Sequence, residues 1–577
     1  MPPGPPLTPL RVLAAIGVAL VAATLAAWAL LTLESARSGV RIERTVLPGG
    51  LPLSVYQPVA AAPADRRPAV VLAHGFAGSQ QLMRPGAIAL ARAGMVALTF
   101  DFPGHGRNAQ PLPGSLREHD ALLASLLGAL EQAAAHARAL PFADGRVAVL
   151  GHSMASDLVV RHALAYPDTI ATIGVSLVYG GAPRQAPPNL LAIYGSLEPD
   201  ALQAFARRLI AGDADPDSVR PNTTYGRFED GSARRLVLAE RAEHIGVLYS
   251  AQALREVRDW LRAAFAARPV AAPPATAPDT DTTQALADSQ PRTATTPVPE
   301  GRLAAEPALP AYGLPLLVLL AALVALGWPL AQVAHATLAP TSARRRFFEA
   351  DSRTLFADSA RVARSRRLWW LVALTPALLT PLMLSIVPSG MVSVLVADHL
   401  LLHFLLYGLL TFSGLLVLVR GGHLPRPALA PPSPRVLFVA AGLIGYATLA
   451  CGLAIDRYGF NLAPADGRGL LILALGTATL AWFVSEAWLA TATSAPRAAG
   501  VVTRTAFLLS LALSVALDFR GLFFLLIILP AILALFLVQG LLARWSTQAT
   551  GRAWIGALGG AIAFAWAIAV TFPAVRA

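Results

Sequence analysis

The chain has one cysteine, Cys451, and no lysine in 577 residues. A single thiol excludes an intrachain disulfide, so any domain outside the cytoplasm must hold by its core alone. No cluster of His or Cys has metal-ligand spacing, and neither a metal nor another cofactor is expected. Charged residues are scarce too, 14% against 55% apolar. That balance excludes an ordinary soluble enzyme of this length. The formal charge of +12 is carried entirely by excess arginine. Much of it lies between apolar runs, where anionic lipid headgroups account for it, so no nucleic-acid partner is expected. Arginine in place of lysine, with abundant Ala, Pro and Gly, points to a GC-rich bacterial genome.

Long apolar runs are what this composition leaves. Leu10 to Leu33 is interrupted only by Arg11. It is long enough for a hydrocarbon core of about 30 Å and longer than a signal-peptide apolar region. Residues 10–33 are therefore expected to be an uncleaved anchor behind a cytoplasmic 1–9. From residue 312 to 577 we expect about eight further helices, near 313–336, 368–388, 398–419, 436–455, 469–491, 503–519, 521–541 and 553–573. Pro376, Pro381 and Pro388 predict a kinked helix. The segment Thr337 to Arg367 carries eight arginines, among them Arg344, Arg345 and Arg346, against three acids. Short arginine-rich loops stay in the cytoplasm. Residues 40–268 then face outward, on the periplasmic side of a bacterial inner membrane. Residues 269–311, rich in Ala, Pro, Thr and Ser, read as a disordered tether.

Residues 40–268 have a different grain. Ala69–Ala73, Val96–Phe100, Val147–Leu150, Ala171–Leu177, Asn189–Gly195 and Arg235–Leu238 read as short buried strands. Leu116–Leu140 and Asp157–Ala165 read as helices. Such alternation implies a largely parallel sheet covered on both faces. After Val147–Leu150 comes Gly151-His152-Ser153-Met154-Ala155 and then a helical stretch. A strand, a sharp turn carrying serine and a helix make the setting of a nucleophile elbow.

Five pieces each follow a predicted strand. They are His74-Gly75-Phe76, Asp101-Phe102-Pro103-Gly104-His105-Gly106, Gly151-His152-Ser153-Met154-Ala155, Gly195-Ser196-Leu197-Glu198 and Glu243-His244-Ile245-Gly246. In this order the sequence resembles the α/β-hydrolase family across roughly residues 45 to 268. Its small scaffold is similar to the dienelactone-hydrolase-like members. The elbow departs from the usual motif only in ending on Ala155 instead of Gly. The resemblance implies a mostly parallel sheet with helices on both faces, here joined to an all-α polytopic membrane domain. It also implies no large cap, because 11 residues separate Leu177 from Asn189. The stretch Asp200 to Phe228 is the candidate for a small lid.

The chemistry assigns roles. Ser153 is the candidate nucleophile, and a neutral hydroxyl needs a base within hydrogen-bond reach. His244 fits, since imidazole titrates near neutrality. A carboxylate must hold the ring, either Glu198, where the resemblance places the acid, or Asp200. By resemblance the oxyanion donors are the backbone amides of Phe76 and Met154. His74, His105 and His152 read as loop-shaping, Asp101 as closing a loop, Asp144 as fixing a turn, and His119 and Asp120 as a solvated helix face. Inside the apolar runs, Asp398, His399, His403 and Glu486 read as helix ends and interhelical hydrogen bonds, with a proton or substrate path as the functional alternative. The expected protein is a serine hydrolase acting on a small-molecule or lipid-like acyl substrate, with membrane lipids as its surroundings. The alternatives are a transporter or scaffold whose hydrolase-like domain only binds, and an acyltransferase.

Overall fold

Strand signals in residues 40–268 give one sheet of nine strands in the computed structural model. The structure describes residues 8–59, 66–113, 119–181, 186–268, 312–338, 359–387, 394–424, 432–492, 495–496 and 498–576. The strands are β1 (Val40–Leu47), β2 (Leu51–Pro58), β3 (Arg67–Ala73), β4 (Val96–Phe100), β5 (Ala143–His152), β6 (Thr172–Val175), β7 (Leu190–Gly195), β8 (Thr224–Tyr225) and β9 (Arg234–Ala239). Their order across the sheet is β1-β2-β4-β3-β5-β6-β7-β9-β8. Strands β4, β3, β5, β6, β7 and β9 run parallel, and the outer strands at both edges are antiparallel. The charged hairpin β1–β2 carries no continuous apolar run, so the strand reading passed over it. Such charge suits an edge strand.

Helices cover both faces, as apolar parallel strands require. Helices α3 (His119–Ala139) and α4 (Met154–Ala165) pack on one face. Helices α2 (Arg84–Arg92) and α6 (Ala251–Ala267) pack on the other. The stretch expected to form a lid does not. It holds α5 (Asp200–Ala211) and β8, and Ala206, Leu209 and Val219 join a buried cluster with Leu190, Tyr194 and Leu236. Its apolar residues are used in covering the sheet edge.

The rest of the chain is helical: α1 (Pro9–Ser35), α7 (Gly313–Leu338), α8 (Ser359–Leu384), α9 (Ala397–Arg420), α10 (Pro434–Tyr458), α11 (Gly469–Thr491), α12 (Ala499–Leu517), α13 (Phe519–Thr550) and α14 (Ala553–Thr571). Among the described residues nine helices are long and apolar enough to cross a membrane. The segment expected near 503–519 starts earlier, at Ala499, and the one expected near 521–541 runs on to Thr550. Pro388, the third proline of the expected kink, and the 269–311 tether lie outside the described residues.

The two parts are packed together. One cluster of buried residues runs from Leu53, Phe100, Phe102 and Leu112 of the sheet domain into Val394–Ala397, Phe404 and Phe564 of the bundle. The ends of α1, α7, α9, α10, α11, α13 and α14 that meet the sheet domain lie on one side. Leu112 N–H of the sheet domain donates to Ala574 O at 2.9 Å, and Tyr249 OH donates to Gly459 O at 3.4 Å.

Candidate active site

The elbow forms where β5 runs straight into α4. Ser153 sits between them at φ +53° and ψ −119°, a conformation costing a non-glycine residue about 1–3 kcal/mol. The turn is held from both sides. Ser153 N–H donates to Val175 O at 2.9 Å, and Ser156 Oγ donates to Ser153 O at 2.5 Å. Strand and helix come so close that a Cβ on Gly151 would lie 2.2 Å from Ala155 O. Sequence reasoning did not single out Ser156.

The loops after β7 and β9 bring the other two residues to the elbow. His244 Nε2 lies 3.0 Å from Ser153 Oγ, and His244 Nδ1 lies 2.8 Å from Glu198 Oε2. The second oxygen, Oε1, accepts from Ser176 Oγ at 2.8 Å and from Gly195 N–H at 2.7 Å. Three partners hold this carboxylate, which is almost wholly buried. Its acceptor role at the ring puts the His244 proton on Nδ1 and leaves Nε2 free to accept from serine. Asp200, the alternative acid, instead opens α5 and accepts from Gln203 at 3.0 Å.

The two candidate oxyanion amides flank this serine. Met154 is the first residue of α4, so its N–H has no acceptor within the helix. Phe76 follows Gly75, where a Cβ would come within 3.0 Å of the Ser153 Cβ. The Phe76 loop is locked by histidine. The Phe102 N–H donates to His74 Nε2 at 3.1 Å, which fixes the ring proton on Nδ1, facing Gly75 O at 2.8 Å. Burial lowers the His74 pKa, so this tautomer persists as a neutral ring. Burial also pushes His105 and His152 down to about 3. His105 meets Pro103 O at 2.9 Å, and His152 Nε2 meets His244 O at 2.9 Å. Asp101 accepts from Gln80 N–H, Gln80 Nε2 and Arg107 N–H, closing its loop. Asp144 lies within β5 and takes Arg146 N–H and its guanidinium.

The outer support of this half was not legible in the local motifs. It comes from the helical domain. Asn461 Oδ1 accepts from Arg107 Nε at 2.9 Å and from Gln81 Nε2 at 3.3 Å, and Asn461 N–H donates to Ser79 Oγ. Asp456 pairs with Arg107 at 3.1 Å. Arg468 donates to Gly104 O at 2.7 Å while holding Phe572 O at 2.8 Å. The chain beyond α14 lies along Gly104 and Leu112, exchanging backbone hydrogen bonds through Ala574. Gly104, at φ +73°, leaves no room for a side chain: a Cβ would stand 2.4 Å from Ala574 O.

Within the bundle, His403 is fully buried, 3.5 Å from Ser514 Oγ, and its ring centre lies 5.7 Å from that of His399. Asp398 bonds the His399 amide at the start of α9. Glu486 accepts from Thr503 at 3.0 Å near Arg504. These are helix-end and interhelical contacts. The described part of His119 and Asp120 opens α3, with Asp120 exposed. Among the described residues no group of three His, Cys, Asp or Glu is placed to hold a metal.

Residues 64–218 match a family model described as serine aminopeptidase, S33. Solved structures with similar folds include a dienelactone hydrolase from Anabaena variabilis, at 19% identity and a TM-score of 0.28, covering 39% of this chain and 95% of that one. Esterase 2 from Thermogutta terrifontis matches at 18% identity, with a TM-score of 0.28, covering 39% of this chain and 94% of that one. A hypothetical protein from Pseudomonas aeruginosa matches at 13% identity, with a TM-score of 0.29, covering 39% and 93%. No curated protein matches the sequence.

Proposed function

From an α/β-hydrolase domain joined to a polytopic helical membrane domain, we propose a membrane-anchored serine hydrolase that cleaves an ester, thioester or amide through an acyl-enzyme at Ser153. The observation that carries this reading is the unbroken relay from Ser153 through His244 to Glu198, at 3.0 and 2.8 Å, on a strained elbow. Ser153 Oγ adds to the acyl carbonyl carbon as its proton passes to His244 Nε2. The tetrahedral intermediate puts its negative oxygen between the Phe76 and Met154 amides. The bond to the leaving group then breaks, and that group takes the proton from His244. Water repeats the sequence on the acyl-enzyme, releasing the acid and restoring the serine. Glu198 stays ionised throughout and holds the imidazolium.

The hydrolase domain faces the exterior in this reading. Arg364, Arg366, Arg367, Arg420, Arg435 and Arg552 lie at the ends of the apolar helices away from it, and arginine-rich ends remain cytoplasmic. A fluorophosphonate probe added to membranes should label the wild type and leave Ser153→Ala unlabelled. Equal labelling of the variant removes Ser153 from the mechanism. A reporter fused after Arg367 should report cytoplasm, and an external signal inverts the orientation.

A further inference from the structure

The β6–β7 connection is short. Among the described residues of the hydrolase domain, the stretch after β7, with α5 and β8, packs on the edge of the sheet. A ring that packs against the Phe76 loop comes from the helical domain. Phe76, which carries one oxyanion amide, packs edge-on against Phe524 with ring centres 4.5 Å apart. Phe524 lies near the start of α13. Its neighbours Phe519 and Phe523 are exposed at the start of a helix long and apolar enough to cross a membrane.

A second observation concerns the other side of the serine. In residues 40–268 the large exposed apolar side chains are Val46, Val59, Leu197 and Ile245, among the described residues. Leu197 precedes Glu198 and Ile245 follows His244. Leu197 is 68% exposed. Both stand at the carboxyl edge of the sheet, where the loops after β3 and β4 meet the helical domain. A site serving a water-soluble substrate gains nothing from an apolar rim, whereas a site serving an acyl chain buries it.

We propose that the membrane domain completes this site, with Phe524 as a wall of its acyl groove, and that the substrate is an acylated lipid drawn from the surrounding bilayer. The scissile carbonyl lies at Ser153, and the chain passes Phe76 and Phe524 toward the lipid-facing side of α13. Leu197 and Ile245 cover the chain at the opposite lip. This assignment rests on the reading of Ser153 as nucleophile and adds the substrate class and the path of entry.

The test uses the full-length protein in lipid nanodiscs and two fluorophosphonates, one with an ethyl chain and one with a hexadecyl chain bearing a diazirine. Each reacts by attack of Ser153 Oγ on phosphorus with loss of fluoride. The long probe should react about tenfold faster or more, because each buried methylene adds to binding. After illumination its chain should crosslink to peptides from the first three turns of α13. Crosslinks confined to residues 200–228, or a short probe that labels Ser153 while the long one does not, overturn the acyl groove and leave the serine chemistry standing. Labelling by neither probe removes the nucleophile, and the groove with it.

Discussion

The two halves of the candidate active site are built in different ways. The half with Ser153, Glu198 and His244 is held by the hydrolase domain alone, through β5, β7, β9 and the hydroxyl of Ser176. The half with Phe76, Asp101 and Gly104 is locked internally by His74 and Gln80 and is also braced from outside, by Asn461, Arg468, Ala574 and the ring of Phe524. Proton transfer and the Met154 amide therefore rest on local backbone geometry, whereas the placement of the Phe76 amide is also braced by helical residues more than 350 positions away in sequence. A change in the first half should abolish chemistry without loosening the docking. A change in the second should weaken placement and leave the relay intact.

The largest effects belong to the first half. Ser153→Ala or His244→Ala should lower turnover on the order of 10⁴-fold or more with normal membrane insertion. Glu198→Gln should cost about 10⁴-fold, since the amide favours the wrong tautomer and cannot stabilise the imidazolium. Asp200→Asn should stay close to wild type, because Asp200 touches Gln203 and not the ring. Steady-state kinetics on one ester ranks all four. An Asp200 variant worse than the Glu198 variant would transfer the acid role.

The next effect crosses both halves. His74, His105 and His152 are buried and neutral, with folded pKa values below the unfolded value of 6.5. As pH falls the unfolded chain binds protons first, so stability is complete above about pH 6.5 and is lost below it, down to about pH 3 for His105 and His152, at about 1.4 kcal/mol per pH unit per ring. The melting temperature should fall steadily from pH 6.5 to pH 4. A flat profile would mean that these rings accept protons in place, against the hydrogen bonds described.

Docking effects are smaller. Asn461→Ala strands the buried Gln81 donor and removes one partner of the exposed Arg107, at a cost of about 1–3 kcal/mol. If that cost loosens the Phe76 loop, kcat should drop roughly tenfold while fluorophosphonate labelling of Ser153 survives. Loss of labelling as well would show that the halves are not separable.

The sequence carried the first half well. Each strand that leads into Ser153, Glu198 or His244 is a short apolar run ending in small or polar residues, so both its type and its end were readable. The order of the three residues then fixed which could meet. Ser156 and Ser176 were missed because a buried serine supporting a turn has no pattern of its own. The second half was unreadable for a different reason. Asn461, Arg468 and Phe524 lie at helix ends, where polar and aromatic residues are ordinary, and only the packing of two domains gives them a partner. The expected lid at 200–228 failed for the same cause: the helix there reads the same whether it covers the site or the edge of the sheet.

The smallest expected effect separates charge from shape at this interface. Asp456 does two things with two oxygens. Oδ1 accepts from Leu462 N–H at 2.8 Å and Ala463 N–H at 3.1 Å, which shapes the loop that presents Asn461. Oδ2 meets the Arg107 guanidinium at 3.1 Å, with the arginine side chain 40% exposed. Replacing aspartate by alanine would lose both. Asp456→Asn keeps an oxygen for the two amides and removes the charge together with the acceptor that Arg107 uses. An ion pair this open to water contributes about 0–1 kcal/mol and is screened by salt. Asp456→Asn should thus change kcat by less than about threefold, and the difference should vanish at high salt. Asp456→Ala should approach the Asn461→Ala value, because the loop shape goes with it. If the asparagine variant is as poor as the alanine variant at every ionic strength, the charge itself docks the domain, and the hydrogen-bonded loop is secondary.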